Sequence, residues 1–135
     1  MAPEALEQVN AVRTLVIVLG DQLDASSAAF DEFNRERDAV WMAEVTGEAK
    51  HVWSHKARIA VFLSAMRHFR ESLRKRGITA HYRQLDDRGN RGSFASEFEA
   101  VVKKLHPQRI VMVEPGEWRV KQTFLDAAKR LGIDL

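Results

Sequence analysis

Two stretches, TLVIVL at 14–19 and RIVMVE at 109–114, are nearly unbroken runs of apolar, mostly β-branched residues. A strand with one wet face alternates apolar and polar side chains. A short run without that alternation is what a strand covered on both faces looks like. AVWMAEV at 39–45 is largely apolar too, whereas ITAHYRQL at 78–85 alternates and suits an edge or one wetter face. Any fold built on such strands must supply helices to both sides of its sheet.

Three segments have the period to do so. Over 55–76, Ile59, Phe62, Leu63, Met66, Phe69 and Leu73 form one stripe at helical spacing, and Gly77 comes next as a C-terminal cap. Over 94–105 the apolar face is Phe94, Phe98, Val101, Val102 and Leu105, with Ser93 as N-cap and Pro107 as the stop. Over 117–131 it is Val120, Phe124, Ala127, Ala128 and Leu131, closed by Gly132. Strands alternating with helices imply βαβ units and a parallel sheet. The expected fold is therefore α/β: an open, mostly parallel, doubly wound (Rossmann-like) sheet of four to five strands. Residues 1–13 read as a leader and 14–135 as one domain. The final IDL after Gly132 reads as the start of a fifth strand, which makes the chain look like the front part of a longer protein.

Composition narrows the function. The 135 residues contain no cysteine, which excludes disulfides, thiolate metal sites and an iron–sulfur cluster held by this chain alone. That also suits a reducing, cytoplasmic setting, and no apolar run is long enough to span a bilayer. A net charge of +2 gives no argument for nucleic acid by itself. The basic run RESLRKRG at 70–77 fits a solvated helix end that offsets the macrodipole. His51 and His55 have i, i+4 spacing but no third ligand, so no metal is expected, and His68 falls on the polar side of its helix. Trp41 and Trp53 read as packing residues.

In open α/β sheets, ligands bind beyond the carboxyl ends of the strands, where strand order reverses. The first strand runs into Gly20-Asp21-Gln22, the second into Glu44-Val45-Thr46-Gly47-Glu48, and the fourth into Glu114-Pro115-Gly116-Glu117. Each group has a glycine and a carboxylate. Gly20 either turns the chain or admits a close neighbour. Asp21 and Gln22 offer hydrogen bonds to a polar ring or cap the next segment. Glu114, ending a buried strand, requires backbone amides, Arg119 or a ligand as partner. GDQLDA lacks the G-x-G-x-x-G spacing, and there is no Walker loop. Carboxylates at three strand ends repel phosphate and suit a neutral heterocycle with N–H groups and hydroxyls.

The blocks LVIVLGDQLD, GEAKHVWSHKARIAVFLSAMRHF and VEPGEWRV, together with LDDRGNRGSF, are similar to the N-terminal domain of the photolyase-related family of bacterial cryptochromes and photolyases with an iron–sulfur cluster. The resemblance runs from Leu15 to Leu135. It implies that this domain holds an antenna chromophore, 6,7-dimethyl-8-ribityllumazine. It also implies a C-terminal domain, outside this chain, with FAD, the cysteines of a four-iron cluster and a pocket for damaged DNA. Such proteins repair the (6-4) photoproduct by light-driven electron transfer or act as photoreceptors. Carried over by position, Gly20, Asp21 and Gln22 line one side of the lumazine, and Glu48 bonds its ring or ribityl hydroxyls. Glu114 and Gly116 close the other strand end. Phe62 faces the chromophore at a position often aliphatic in relatives, and His51 stands where an aromatic is frequent. No catalytic residue is expected in the chain. The partners implied are its own FAD domain and, through the full-length protein, damaged DNA. An exposed sheet edge also offers a route to pairing between chains. A generic nucleotide-binding α/β module and a purely structural contact domain remain the alternatives.

Overall fold

The computed structural model describes residues 12–46 and 56–135. Four strands form a single all-parallel sheet: β1 (Thr14–Ile17), β2 (Ala39–Ala43), β3 (Ala80–Arg83) and β4 (Arg109–Met112), in the order β3-β2-β1-β4. Three helices lie wholly among the described residues: α1 (Lys56–Lys75), α2 (Phe94–Leu105) and α3 (Trp118–Leu131). A single 3-10 turn (Ala28–Phe30) interrupts the link between β1 and β2. The α/β class and parallel order expected from the sequence are thus observed.

Of the two unbroken apolar runs, β1 is central beside β2, whereas β4 stands at the outer end of the four-strand order and is only partly buried. Every residue of β1 and β2 is buried. Leu15, Ile17, Trp41 and Ala43 face one side, where α2 and α3 cover them with Phe98, Val101, Val102, Val120 and Phe124. Val16, Val18, Val40 and Met42 face the other, against Met66 and Leu73 of α1 and against Phe30 and Phe33 of the β1–β2 link. This is period 2 in the strands meeting period 3.6 in the helices. The alternating segment is the edge strand β3, as its wetter pattern implied.

The strands are shorter than their apolar runs. Val18, Leu19 and Val45 remain buried but lie beyond the ladder, because each chain leaves the sheet to build the loops above its carboxyl edge. The caps obey local chemistry. Ser93 Oγ accepts from the Ser96 amide at 3.3 Å. Gly132 takes φ +69°, and its amide reaches the carbonyls of Ala128 and Lys129. At the end of α2 the left-handed residue is His106 (φ +49°), one place before Pro107. The carbonyl of Asp134 accepts from the Ile110 amide at 2.9 Å, and Asp134 makes one parallel bridge to Arg109 on the outer side of β4. The IDL segment therefore lies where a fifth strand was expected to begin.

Phe124 holds one face together. It meets Phe98 edge-on at 5.4 Å between ring centroids, Trp41 at 6.0 Å and Phe94 at 5.3 Å, and it is fully buried. Trp41 is thus a packing residue. Phe124→Ala should lower the unfolding free energy by about 3–5 kcal/mol, read as a shift in urea midpoint at unchanged slope. A loss under about 1 kcal/mol would show that the cluster does not depend on this ring.

Candidate functional site

The chain leaves β1 for β2 on one side, and β4 returns on the other, so strand order reverses between β1 and β4. A cavity of about 140 Å³ opens at the carboxyl edge there. Leu19, Gly20 and Asp21 extend β1 into it, and Pro115, Gly116 and Glu117 do so beyond β4. Phe62 and Met66 of α1 wall one side, Phe94 and Val120 the other, and Ala43, Glu44 and Val45 form the end of β2. The lining is largely apolar with a few polar groups at its rim, the usual make-up of a small-molecule site.

Gly20 owes its place to a close neighbour. Its φ is not in the left-handed region. A Cβ there would lie 2.1 Å from Phe62 Cε1 and 3.1 Å from Met66 Sδ. The ring of Phe62 thus rests on the glycine and forms the wall above it. Gly116 is the opposite case, since an added Cβ would meet nothing within 4 Å.

Gln22 bridges the crevice. Its Nε2 donates to the Val113 carbonyl at 3.1 Å and to the Glu114 carbonyl at 3.5 Å, tying the ends of β1 and β4. That orientation leaves Oε1 buried without a partner among the described residues. A buried, unmatched acceptor costs about 1–3 kcal/mol. Asp21 is exposed at the rim. Glu117 also stands there, 3.5 Å from Arg119.

Glu114 departs from expectation. It is not buried: its side chain is 71% exposed and pairs with Lys121, not Arg119. Lys121 holds the carboxyl below its ordinary value. It borders a separate depression with Met112, Leu125 and Leu135, because the strand ends at Met112 and the next residues turn outward. Only its backbone carbonyl faces Gln22. Glu48, Gly47, His51, His55 and Trp53 lie outside the described residues.

Sequence reasoning placed Glu44 at a strand end but gave it no role of its own. Its side chain is fully buried beside the cavity. Arg67 Nε and Nη2 both donate to it at 2.8 Å, the Leu85 amide donates at 2.8 Å, and Tyr82 donates its hydroxyl. Burial pushes this carboxyl up, but Arg67, Tyr82 and the Leu85 amide outweigh burial and hold it below its ordinary value. Burial and Glu44 together raise the Tyr82 phenol. A carboxylate within the run AVWMAEV and an arginine close to an apolar helical stripe were the available signals. Asp38 repeats the device at the other end of β2. Burial is again outweighed, here by Arg13 and by the amides of Asn34 and Thr14.

The described residues contain no group of acids and histidines fit to hold a metal, and no helix long and apolar enough to cross a membrane. The profile of the deoxyribodipyrimidine photo-lyase-related protein family matches residues 16–135. A protein named (6-4) photolyase from Agrobacterium fabrum is 44% identical over 121 residues, which is 90% of this chain and 24% of that protein. The chain therefore spans about a quarter of the length of this relative.

Two measurements check the geometry. Gly20→Ala should cost about 1–3 kcal/mol by overpacking against Phe62, and less in a Phe62→Leu background, with a coupling of at least about 0.5 kcal/mol. Equal costs in both backgrounds would show that the ring does not set the limit. Glu44 and Asp38 have lower pKa values folded than unfolded. Their stabilisation is complete above the unfolded values, about 4, and is lost as pH falls through the lower folded ones. Unfolding free energy should fall on acidification below about pH 4, and Glu44→Gln should flatten that acid limb. An unchanged limb would remove Glu44 from this role.

Proposed function

Since the chain belongs to the deoxyribodipyrimidine photo-lyase-related family, we propose that it is the antenna-chromophore-binding α/β domain of a light-driven DNA-repair photolyase. The chromophore in this reading is 6,7-dimethyl-8-ribityllumazine, held in the crevice between the ends of β1 and β4. When bound, it absorbs light and passes the excitation to FAD in a partner domain outside this chain, where a four-iron cluster and damaged DNA would also be held. A photoreceptor would use the same antenna.

The observation that carries the proposal is the apolar crevice walled by Phe62 and Met66 with Asp21 and Glu117 among its polar lining, next to Gln22, whose buried Oε1 has no partner among the described residues. A flat heterocycle buries its faces on such a wall and donates a ring N–H to the free acceptor. Asp21 at the rim accepts from ribityl hydroxyls. Gly116 leaves room at the opposite lip. Glu114 closes that strand end through its backbone, and Glu48, outside the described residues, is proposed as a further partner of the ring or ribityl hydroxyls. Glu44 contributes a wall but little net charge, being paired with Arg67. Among the described residues lining the crevice there is no nucleophile paired with a base, and in this reading the domain's work is binding and orientation.

Titration of the lumazine with the chain tests the reading. Its fluorescence anisotropy should rise to saturation, and Gln22→Leu should weaken binding about tenfold without changing the stability read from the urea midpoint by more than about 1 kcal/mol. No rise in anisotropy would sink the antenna assignment. Displacement of the lumazine by an adenine nucleotide would favour a generic nucleotide-binding module instead.

A further inference from the structure

We propose that the groove between the free edge of β3 and α2 binds a single phosphate group, through Lys104, Arg74 and His81. This groove has a volume of about 490 Å³ and shares no residue with the crevice described above. Neither the photolyase reading nor the comparisons assign anything to it.

The fold creates the groove by leaving β3 half covered. Ala80 and Tyr82 point toward the α1 side, so His81 and Arg83 point toward α2. There α2 packs on the central strands, and Trp41, Ala100 and Val101 are left as the floor of an open trough. Its two ends differ electrically. At the end near the start of α2, the buried Glu97 accepts from Arg83 Nε at 2.8 Å, from the Arg91 amide at 2.7 Å and from Arg91 Nη1 at 3.4 Å. Each guanidinium there has a carboxylate partner, although the two share one.

The other end is not matched. Lys104 has no carboxylate within ion-pair distance among the described residues. Arg74 has a single loose and exposed partner, Glu71 at 3.6 Å, and its Nη2 donates to the Ala80 carbonyl at 3.0 Å. That bond anchors the guanidinium at the strand edge. His81 lies within electrostatic reach of both cations, and burial and then these two charges hold its imidazole below its ordinary value. The helix ends explain part of this charge, since Lys104 and Arg74 each lie in a last turn. They do not explain why both line one groove with a half-buried histidine.

Phosphate fits this set better than carboxylate does. An ammonium, a guanidinium and an imidazole are brought to one groove by α2, α1 and β3, and a tetrahedral oxyanion has acceptor oxygens enough for all three. A phosphomonoester and a nucleic-acid phosphodiester present the same chemistry.

The test monitors the His81 ring by NMR while the chain is titrated at constant ionic strength with inorganic phosphate, with a short single-stranded oligonucleotide, and with acetate. The proposal expects saturable shifts of His81 with a phosphate-bearing ligand and a weaker response to acetate. Lys104→Ala should raise the half-saturation concentration about tenfold. Tighter saturation by inorganic phosphate identifies a free phosphate or monoester as the source, and tighter saturation by the oligonucleotide identifies a backbone phosphate. Shifts that are absent, linear in concentration, equal for acetate, or unchanged in Lys104→Ala overturn it. Because Lys104 is exposed, that variant should keep the parent's urea midpoint, so a lost response reports on binding.

Discussion

The carboxylate of Glu44 is the point on which the upper edge of the molecule depends. A buried carboxylate without partners is too costly to survive in a folded chain. Its partners come from α1 (Arg67), from β3 (Tyr82) and from the loop beyond it (the Leu85 amide). Its own amide donates to the Arg83 carbonyl at 2.9 Å, and its carbonyl accepts from Asn90 at 2.6 Å. Every polar group of one residue is therefore engaged, and each engagement fixes a different segment. The guanidinium of Arg70 over the Tyr82 ring, 4.7 Å from its centroid, adds a further tie to α1.

That arrangement also shapes the crevice. The cavity lies where the two faces of the sheet meet above its edge. Phe62 and Met66 come from the α1 face, and Phe94 and Val120 from the α2 and α3 face. Phe94 stacks near Phe124 and so carries the aromatic cluster up to the cavity wall. On the other side Phe62 descends onto Gly20, where no side chain stands in its way. The site is thus an extension of both cores. Its polar lining comes from Asp21, Glu44 and Glu117, and Gln22 joins the two strands that frame it.

Much of this was legible in the chain. The unbroken runs placed β1, β2 and β4, and the alternation of ITAHYRQL marked β3 as the wetter strand. The helical stripes predicted α2 at its observed bounds and the other two helices to within a residue or so of their described ends. Gly20, Asp21 and Gly116 do converge at one strand edge, where Gln22 ties the end of β1 to the residues after β4. Glu114 misled, because position at a strand end says nothing about which way the chain turns next. Glu44, Asp38 and Glu97 could not be read as buried groups, since a carboxylate in a sequence shows no sign of the arginine that will meet it from another element.

The division has a physical basis. Period and apolarity are local properties, and burial of apolar surface rewards them wherever the chain goes. The sequence by itself therefore determined an α/β domain with buried parallel strands and helices for both faces. Pairing between distant groups is a property of the assembled fold. Only the tertiary structure decided that Arg67 would neutralise Glu44. It alone showed that Phe62 would occupy the space above Gly20 and that Gln22 would be left with one unmatched oxygen.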